Sequence, residues 1–154
     1  MLTSTDASIF EINPKEVIYP KDRNDLIGVI RNILSDKKPF TMRAGGTSIG
    51  GQAIGSGVLV DVSKHLNNII DFFEDRKEII VEPGVIQDDL NLFLQSYNLK
   101  FAPDTSTSNR AMIGGMIGNN SCGSYSIFYG TTRDHVKSIE VILSDGSLVE
   151  FKEL

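Results

Sequence analysis

Apolar residues along this chain recur in two rhythms, an alternation or short run suited to strands and a three-to-four spacing suited to helices. The two rhythms succeed each other from Val17 onward, whereas Met1 to Pro14 carry little apolar signal. Val17, Ile18 and Tyr19 predict a short strand closed by Pro20. Asp22 or Asn24 is placed to cap a helix whose stripe is Leu26, Ile30, Ile33 and Leu34, with Ile27 beside it, up to about Asp36. Pro39 stops that helix, and Phe40 to Arg43 enter a second strand. Val58 to Val62 predicts a buried strand, and Ile69 to Phe73 with Glu78 to Glu82 a hairpin turning through Asp75, Arg76 and Lys77. After Pro83 and Gly84, the positions Ile86, Leu90, Phe93, Leu94 and Tyr97 return to helical spacing, with Asp88 and Asp89 in the first turn, where the helix dipole favours negative charge. Ala102 to Gly130 is polar, small and glycine-rich. Val136 to Leu143 and Leu148 to Phe151 then predict a second hairpin around Asp145-Gly146. There is no internal repeat, and the pattern is α+β.

Composition narrows the function. The 154 residues are 40% hydrophobic and 23% charged, a balance that suits one globular domain. A net charge of −5 argues against a nucleic acid or an anionic membrane surface as partner, since both attract a positive field. The single cysteine, Cys122, cannot form an intrachain disulfide, and no charged-then-apolar leader opens the chain, so a cytoplasmic setting is expected. The apolar runs are too short to cross a bilayer, which leaves peripheral contact with the inner membrane open. Small-molecule chemistry is the remaining direction.

Two segments carry it. Arg43 to Gln52 reads R-A-G-G-T-S-I-G-G-Q directly after a strand, with four glycines in ten residues. Glycine lets main-chain N–H groups approach and point at an anion, and Thr47 and Ser48 add hydroxyl donors, so an acidic protein can hold a diphosphate here without a formal charge. The glycines fit neither G-x-G-x-x-G nor the P-loop, because the spacing is wrong and no lysine follows. From the residues alone, this is an anion-binding loop of unspecified class, or a plain glycine-rich surface loop. The second segment, Pro103 to Gly130, has enough small hydroxyl and amide side chains to line a wall for a flat ligand. A connection this long is functional or disordered, and the interleaved Met112, Ile113, Met116, Ile117, Ile127 and Phe128, which favour burial, argue against disorder. Asn119 and Asn120 suit turn chemistry or ligand contact equally.

Single residues have plainer readings. Cys122 reads as a buried small hydrophobe rather than a nucleophile. His65 and His135 lack partners at ligand spacing, so no metal site is expected and both suit surface or capping positions. Arg43, Arg110 and Arg133 could each face phosphate, pair with a carboxylate or cover the sheet with their stems.

These motifs taken together resemble the FAD-linked oxidases built on the p-cresol methylhydroxylase (PCMH) and vanillyl-alcohol oxidase type of FAD-binding domain, from about Val17 to the end of the chain. The carrying residues are R-A-G-G-T-S-I-G-G-Q, V-E-P-G-V near Glu82, P-D-T-S-T-S-N-R-A-M-I-G-G-M-I-G-N-N-S-C-G-S and Y-G-T-T-R-D-H-V. Within that superfamily the chain looks most like the flavin subunits of D-lactate, glycolate and D-2-hydroxyglutarate dehydrogenases. The resemblance implies a loop of Arg43, Ala44, Gly45, Gly46, Thr47, Ser48, Gly50, Gly51 and Gln52 around the FAD diphosphate. It implies Pro83 and Gly84 beside the adenine end, and Pro103, Asp104, Thr105 and Ser106 along the cofactor. Gly114, Gly115, Gly118, Asn119 and Ser121 would pack near its ribityl and ring region.

The same resemblance implies non-covalent FAD, because the first loop has no histidine and Cys122 does not align with the usual attachment point. It implies an N-terminal segment over residues 1–14, a complete first lobe over 15–135 and the start of a second lobe over 136–154. The catalytic groups for a small 2-hydroxy acid, and in long relatives an iron–sulfur cluster, would then lie downstream, leaving no catalytic residue on this chain. An unpaired sheet edge would give a route to a homodimer.

Overall fold

A computed structural model describes residues 3–152, and in it the predicted elements assemble around one buried strand. Strands β1 (Glu16–Ile18), β2 (Phe40–Arg43) and β3 (Val58–Asp61) form a parallel sheet in the order β1-β3-β2. β3 is central and buried along its whole length, which is why its sequence is an unbroken apolar run ending in Asp61 rather than an alternation. β1 stops at Ile18, one residue short of the expected end, and Tyr19 is partly exposed. Helix α1 (Arg23–Ser35) starts where Asp22 accepts the Asp25 N–H at 2.8 Å. Its Ile30 and Ile33 meet Val58 and Val60 in one apolar cluster, with Leu26, Leu34 and Ile18 packed against it.

A second cluster lies under the antiparallel hairpin β4 (Ile69–Phe73) and β5 (Glu78–Val81). Helix α2 (Gln87–Gln95) contributes Leu90 and Leu94, and Val85 and Ala111 fill between them. Ile113 and Met116 complete the cluster from a helix that periodicity did not announce, α3 (Ile113–Asn119).

The stretch from Ala102 to Gly130 is therefore not one long connection. It holds α3 and a single-turn helix α4 (Ser126–Tyr129), followed by a 3-10 turn over Thr132–His135. Two expectations fail within it. Cys122 is exposed, and Ile127 and Phe128 are 90% and 81% exposed, because α4 is one turn long and no other element covers it among the described residues. Met112, Ile113, Met116 and Ile117 are at least partly buried, as their apolar character required.

The chain closes with the hairpin β6 (Ser138–Ile142) and β7 (Leu148–Lys152), turning at Gly146 with φ +79°. Ile142 packs against the α1 cluster. Arg31 on α1 donates to the Gly146 carbonyl at 2.9 Å. No helix among the described residues is long and apolar enough to cross a membrane.

Candidate functional site

The glycine loop leaves the carboxyl end of β2 and returns to the sheet at β3, so it lies outside the C-terminal ends of parallel strands, where open sheets present ligand sites. Gly46 takes φ +62°, a left-handed conformation that a side chain disfavours, and a Cβ built there would lie 2.8 Å from the Arg43 Cζ. Among the described residues, no protein acceptor takes the main-chain N–H groups of Gly45, Gly46, Thr47 or Ser48. A run of donors without internal partners on a half-exposed loop is the arrangement that an anion completes. The loop residues fit the diphosphate of FAD on this ground.

The N-terminal segment braces the loop from one side. The Ala7 N–H donates to the Ser48 carbonyl at 3.0 Å, Phe10 lies against Gly51, and Asp6 accepts from the Ala53 N–H at 3.4 Å. Burial works to raise the Asp6 pKa. Hydrogen bonds from Ser8 and Ala53 and the nearby Arg43 charge outweigh it and hold the carboxyl below its ordinary range.

Helix α3 and the turn before it also brace the loop. Gly45 lies against the Arg110 carbonyl, Gly115 faces Ala44, and the Asn119 Nδ2 donates to the Ser48 Oγ at 3.1 Å. Asn120 takes the turn role left open for the asparagine pair. It ends α3 in the left-handed conformation at φ 47°, and its Oδ1 accepts the Arg133 N–H at 2.9 Å.

The Pro83-Gly84 turn meets the same helix. The Ile113 and Gly114 N–H groups donate to the Val85 and Pro83 carbonyls at 2.9 and 2.8 Å, and Pro83 fills the space a side chain at Gly114 would need. The first donors of α3 are thus taken by the turn. Gly118 differs, because a Cβ there would meet open space. A pocket of about 120 Å³ beside the turn, lined by Ser63, Asn67, Gly84 and Asp89 among others, is too small for a flavin. Residues 44–48 of the glycine loop are partly exposed and do not line that pocket.

Segment 103–106 hangs from a side chain that the sequence reading did not single out. Gln87 is 1% exposed; its Nε2 donates to the Pro103 carbonyl, and its Oε1 accepts the Thr105 hydroxyl at 2.8 Å. A glutamine at the first turn of a predicted helix, followed by two acids, carried no signal of burial. Pro103 is buried, Asp104 accepts the Tyr125 N–H at 3.2 Å, and Ser106 is exposed. Ser121 is tied through its carbonyl, which accepts the Thr132 hydroxyl at 2.7 Å. His65 and His135 are exposed, and the latter lies 2.7 Å from the Tyr129 carbonyl. Among the described residues no group of three His, Cys, Asp or Glu side chains could hold a metal ion.

Comparison with known proteins gives the family and the fold. The family model described as FAD binding domain matches residues 14–152. The D-2-hydroxyglutarate dehydrogenase of Escherichia coli (strain K12) is 39% identical over 154 residues, covering 98% of this chain and 15% of that protein. The glycolate oxidase subunit GlcD of Bacillus subtilis (strain 168) is 33% identical over 141 residues, covering 91% of this chain and 30% of that protein. The chain therefore spans a minor part of the length of these relatives. A solved alkyldihydroxyacetonephosphate synthase superposes with a TM-score of 0.79 over 88% of this chain and 25% of its own, at 16% identity, a likeness of fold.

Proposed function

This chain belongs to the FAD binding domain family, and from that premise we propose that it is the diphosphate-gripping wall of a flavin-dependent dehydrogenase acting on a small D-2-hydroxy acid. The observation that carries the reading is the run of N–H groups at Gly45, Gly46, Thr47 and Ser48 that have no acceptor among the described residues, in a chain 39% identical to a D-2-hydroxyglutarate dehydrogenase. Those donors, with the Thr47 and Ser48 hydroxyls, would hold the diphosphate of non-covalent FAD. Gly118 and the exposed Ser106 would face the cofactor, whereas Gly114, Pro103 and Gln87 shape the wall behind it. Residues 15–135 would form the first lobe of the domain and 136–154 the beginning of a second. When bound, the flavin supplies the electron sink for oxidation of the hydroxy acid. The protein's part is to fix the cofactor's position and shield one side of it from water.

The test is in two steps. Titration of the chain with FAD, followed by flavin fluorescence, should show saturable one-to-one binding. The full-length protein should bleach its flavin absorbance anaerobically with D-lactate, glycolate or D-2-hydroxyglutarate and not with the L-enantiomers of the chiral acids. A chain that leaves FAD fluorescence unchanged, or a flavin bleached only by sugars or aromatic alcohols, would overturn the proposal.

A further inference from the structure

Arg43 is the one cation of the glycine-loop motif, and an arginine next to a diphosphate site is the natural candidate to clamp phosphate. Its surroundings direct it elsewhere. Arg43 ends β2 and Asp61 ends β3, and the two are register partners in the parallel pair. Both side chains are almost fully enclosed, at 10% and 7% exposure, with the Arg43 Nε 3.9 Å from the Asp61 Oδ2. The other carboxylate oxygen of Asp61 is occupied by the Ser63 N–H at 2.9 Å and the Ser63 hydroxyl at 2.5 Å. The Arg43 Nη1 donates to the Ala53 carbonyl at 3.0 Å, at the far end of the loop. Its Nη2 occupies the space beside Gly46 that a Cβ would fill.

We propose that the Arg43–Asp61 pair is the positioning element of the glycine loop: the guanidinium lies beneath the loop and ties its two ends together, so that the N–H groups above it hold the shape an anion needs. The inference rests on the flavin-domain reading and adds to it that Arg43 is not a phosphate ligand. The planar fork is essential to this role, because one side chain must reach a carboxylate and a carbonyl in different directions while lying flat against Gly46. Asp61, whose partners here are Arg43 and Ser63, serves to aim the fork. The positive charge of Arg43 is compensated within the protein, which agrees with a grip built from main-chain dipoles.

The two roles for Arg43 give opposite signs in one experiment. Neutralising a carboxylate near an anion site strengthens anion binding by simple electrostatics, and freeing an arginine to lean on phosphate strengthens it further. If the pair positions the loop, Asp61→Asn instead releases the fork and weakens binding. FAD and ADP titrations of the chain, with circular dichroism to confirm folding, should show both ligands weakened on the order of tenfold by Asp61→Asn. Unchanged or tighter binding would overturn the proposal.

Should Asp61→Asn fail to fold, Arg43→Lys decides. Lysine is a good phosphate point charge but cannot reach both acceptors, so a comparable loss is expected, and retained affinity would overturn the proposal. The wild-type titration stands apart from both variants. A wild-type chain that binds neither ligand refutes the proposed diphosphate grip, and with it this inference. A wild type that binds, with variants that bind equally well, refutes only the role given to Arg43 and Asp61.

Discussion

The parallel unit β1-α1-β2-β3 and the wall formed by residues 103–135 are held together in different ways. The parallel unit is apolar where it is closed: Ile30, Ile33, Val58 and Val60 form a continuous cluster, and the helix above it has a capped start and a clear stripe. Apart from α3's inward residues, the wall has little such burial. Its segments hang from polar anchors, namely Gln87 under Pro103 and Thr105, the Val85 and Pro83 carbonyls on the first N–H groups of α3, and the Thr132 hydroxyl on the Ser121 carbonyl. A surface that is to stay polar and close to a ligand, the role proposed for this wall, cannot be packed with large apolar side chains. Its shape is kept by hydrogen bonds that are fully made.

The largest expected effects test that division directly. Ile33→Ala leaves a cavity in the parallel unit and should cost about 2–5 kcal/mol of stability, while the folded fraction keeps its FAD affinity. Gln87→Leu has a similar volume but strands the Pro103 carbonyl and the Thr105 hydroxyl, so it should cost about 1–3 kcal/mol and also weaken FAD binding. Urea melts paired with FAD titrations measure both quantities. If Gln87→Leu lowered stability alone, or Ile33→Ala changed affinity in the folded state, the two regions would not be separable in this way.

The contrast also explains what was legible in the sequence. Strands β2 to β7 and helices α1 and α2 follow from apolar spacing or, for the wholly buried β3, from an unbroken apolar run, and the Lys77 and Gly146 turns sit where the charged and Asp-Gly segments predicted them. Helix α3 has no such signature. Its sequence I-G-G-M-I-G-N has three glycines in seven residues, a composition that does not form a helix unaided. It forms because Ile113 and Met116 reach the second cluster and because carbonyls some 30 residues earlier in the chain accept its first N–H groups, as in Gly114 to Pro83. Those are tertiary causes that local spacing does not encode. The glycine loop could be read as a candidate anion site because its chemistry is local. The Arg43–Asp61 pairing was not, since it depends on strand register.

A smaller effect sharpens the comparison within α3. Gly114 is required by the Pro83 contact, whereas a side chain at Gly118 would meet only open space. Gly118→Ala should therefore stabilise the free chain, by about 0.4–1 kcal/mol, through the reduced entropy of the unfolded chain. If the open space beside it is where the cofactor lies, the same substitution should weaken FAD binding. A rise in melting temperature together with a fall in affinity is the expected pair. A rise in both would remove Gly118 from the cofactor surface.

The smallest effect lies on the outer flank of the parallel unit, where the Arg23 guanidinium on α1 grips Glu140 on β6 through two hydrogen bonds of 2.6 and 2.5 Å. The hydrogen bond from Arg23, opposed by burial and aided by the Arg23 charge, holds the Glu140 carboxyl below its ordinary value of 4.5. A depressed folded-state pKa means the clasp contributes above the unfolded value and is lost as pH falls through the folded one. Both side chains are about half exposed, at 54% and 43%, so solvent screens most of the attraction. Glu140→Gln should therefore melt slightly below the wild type at neutral pH and low salt. The gap should close as the buffer is acidified below the carboxylate range, and also when salt is added at neutral pH. A gap that survived both conditions would mean that β6–β7 is held to α1 by packing around Ile142 and the Arg31–Gly146 bond rather than by charge.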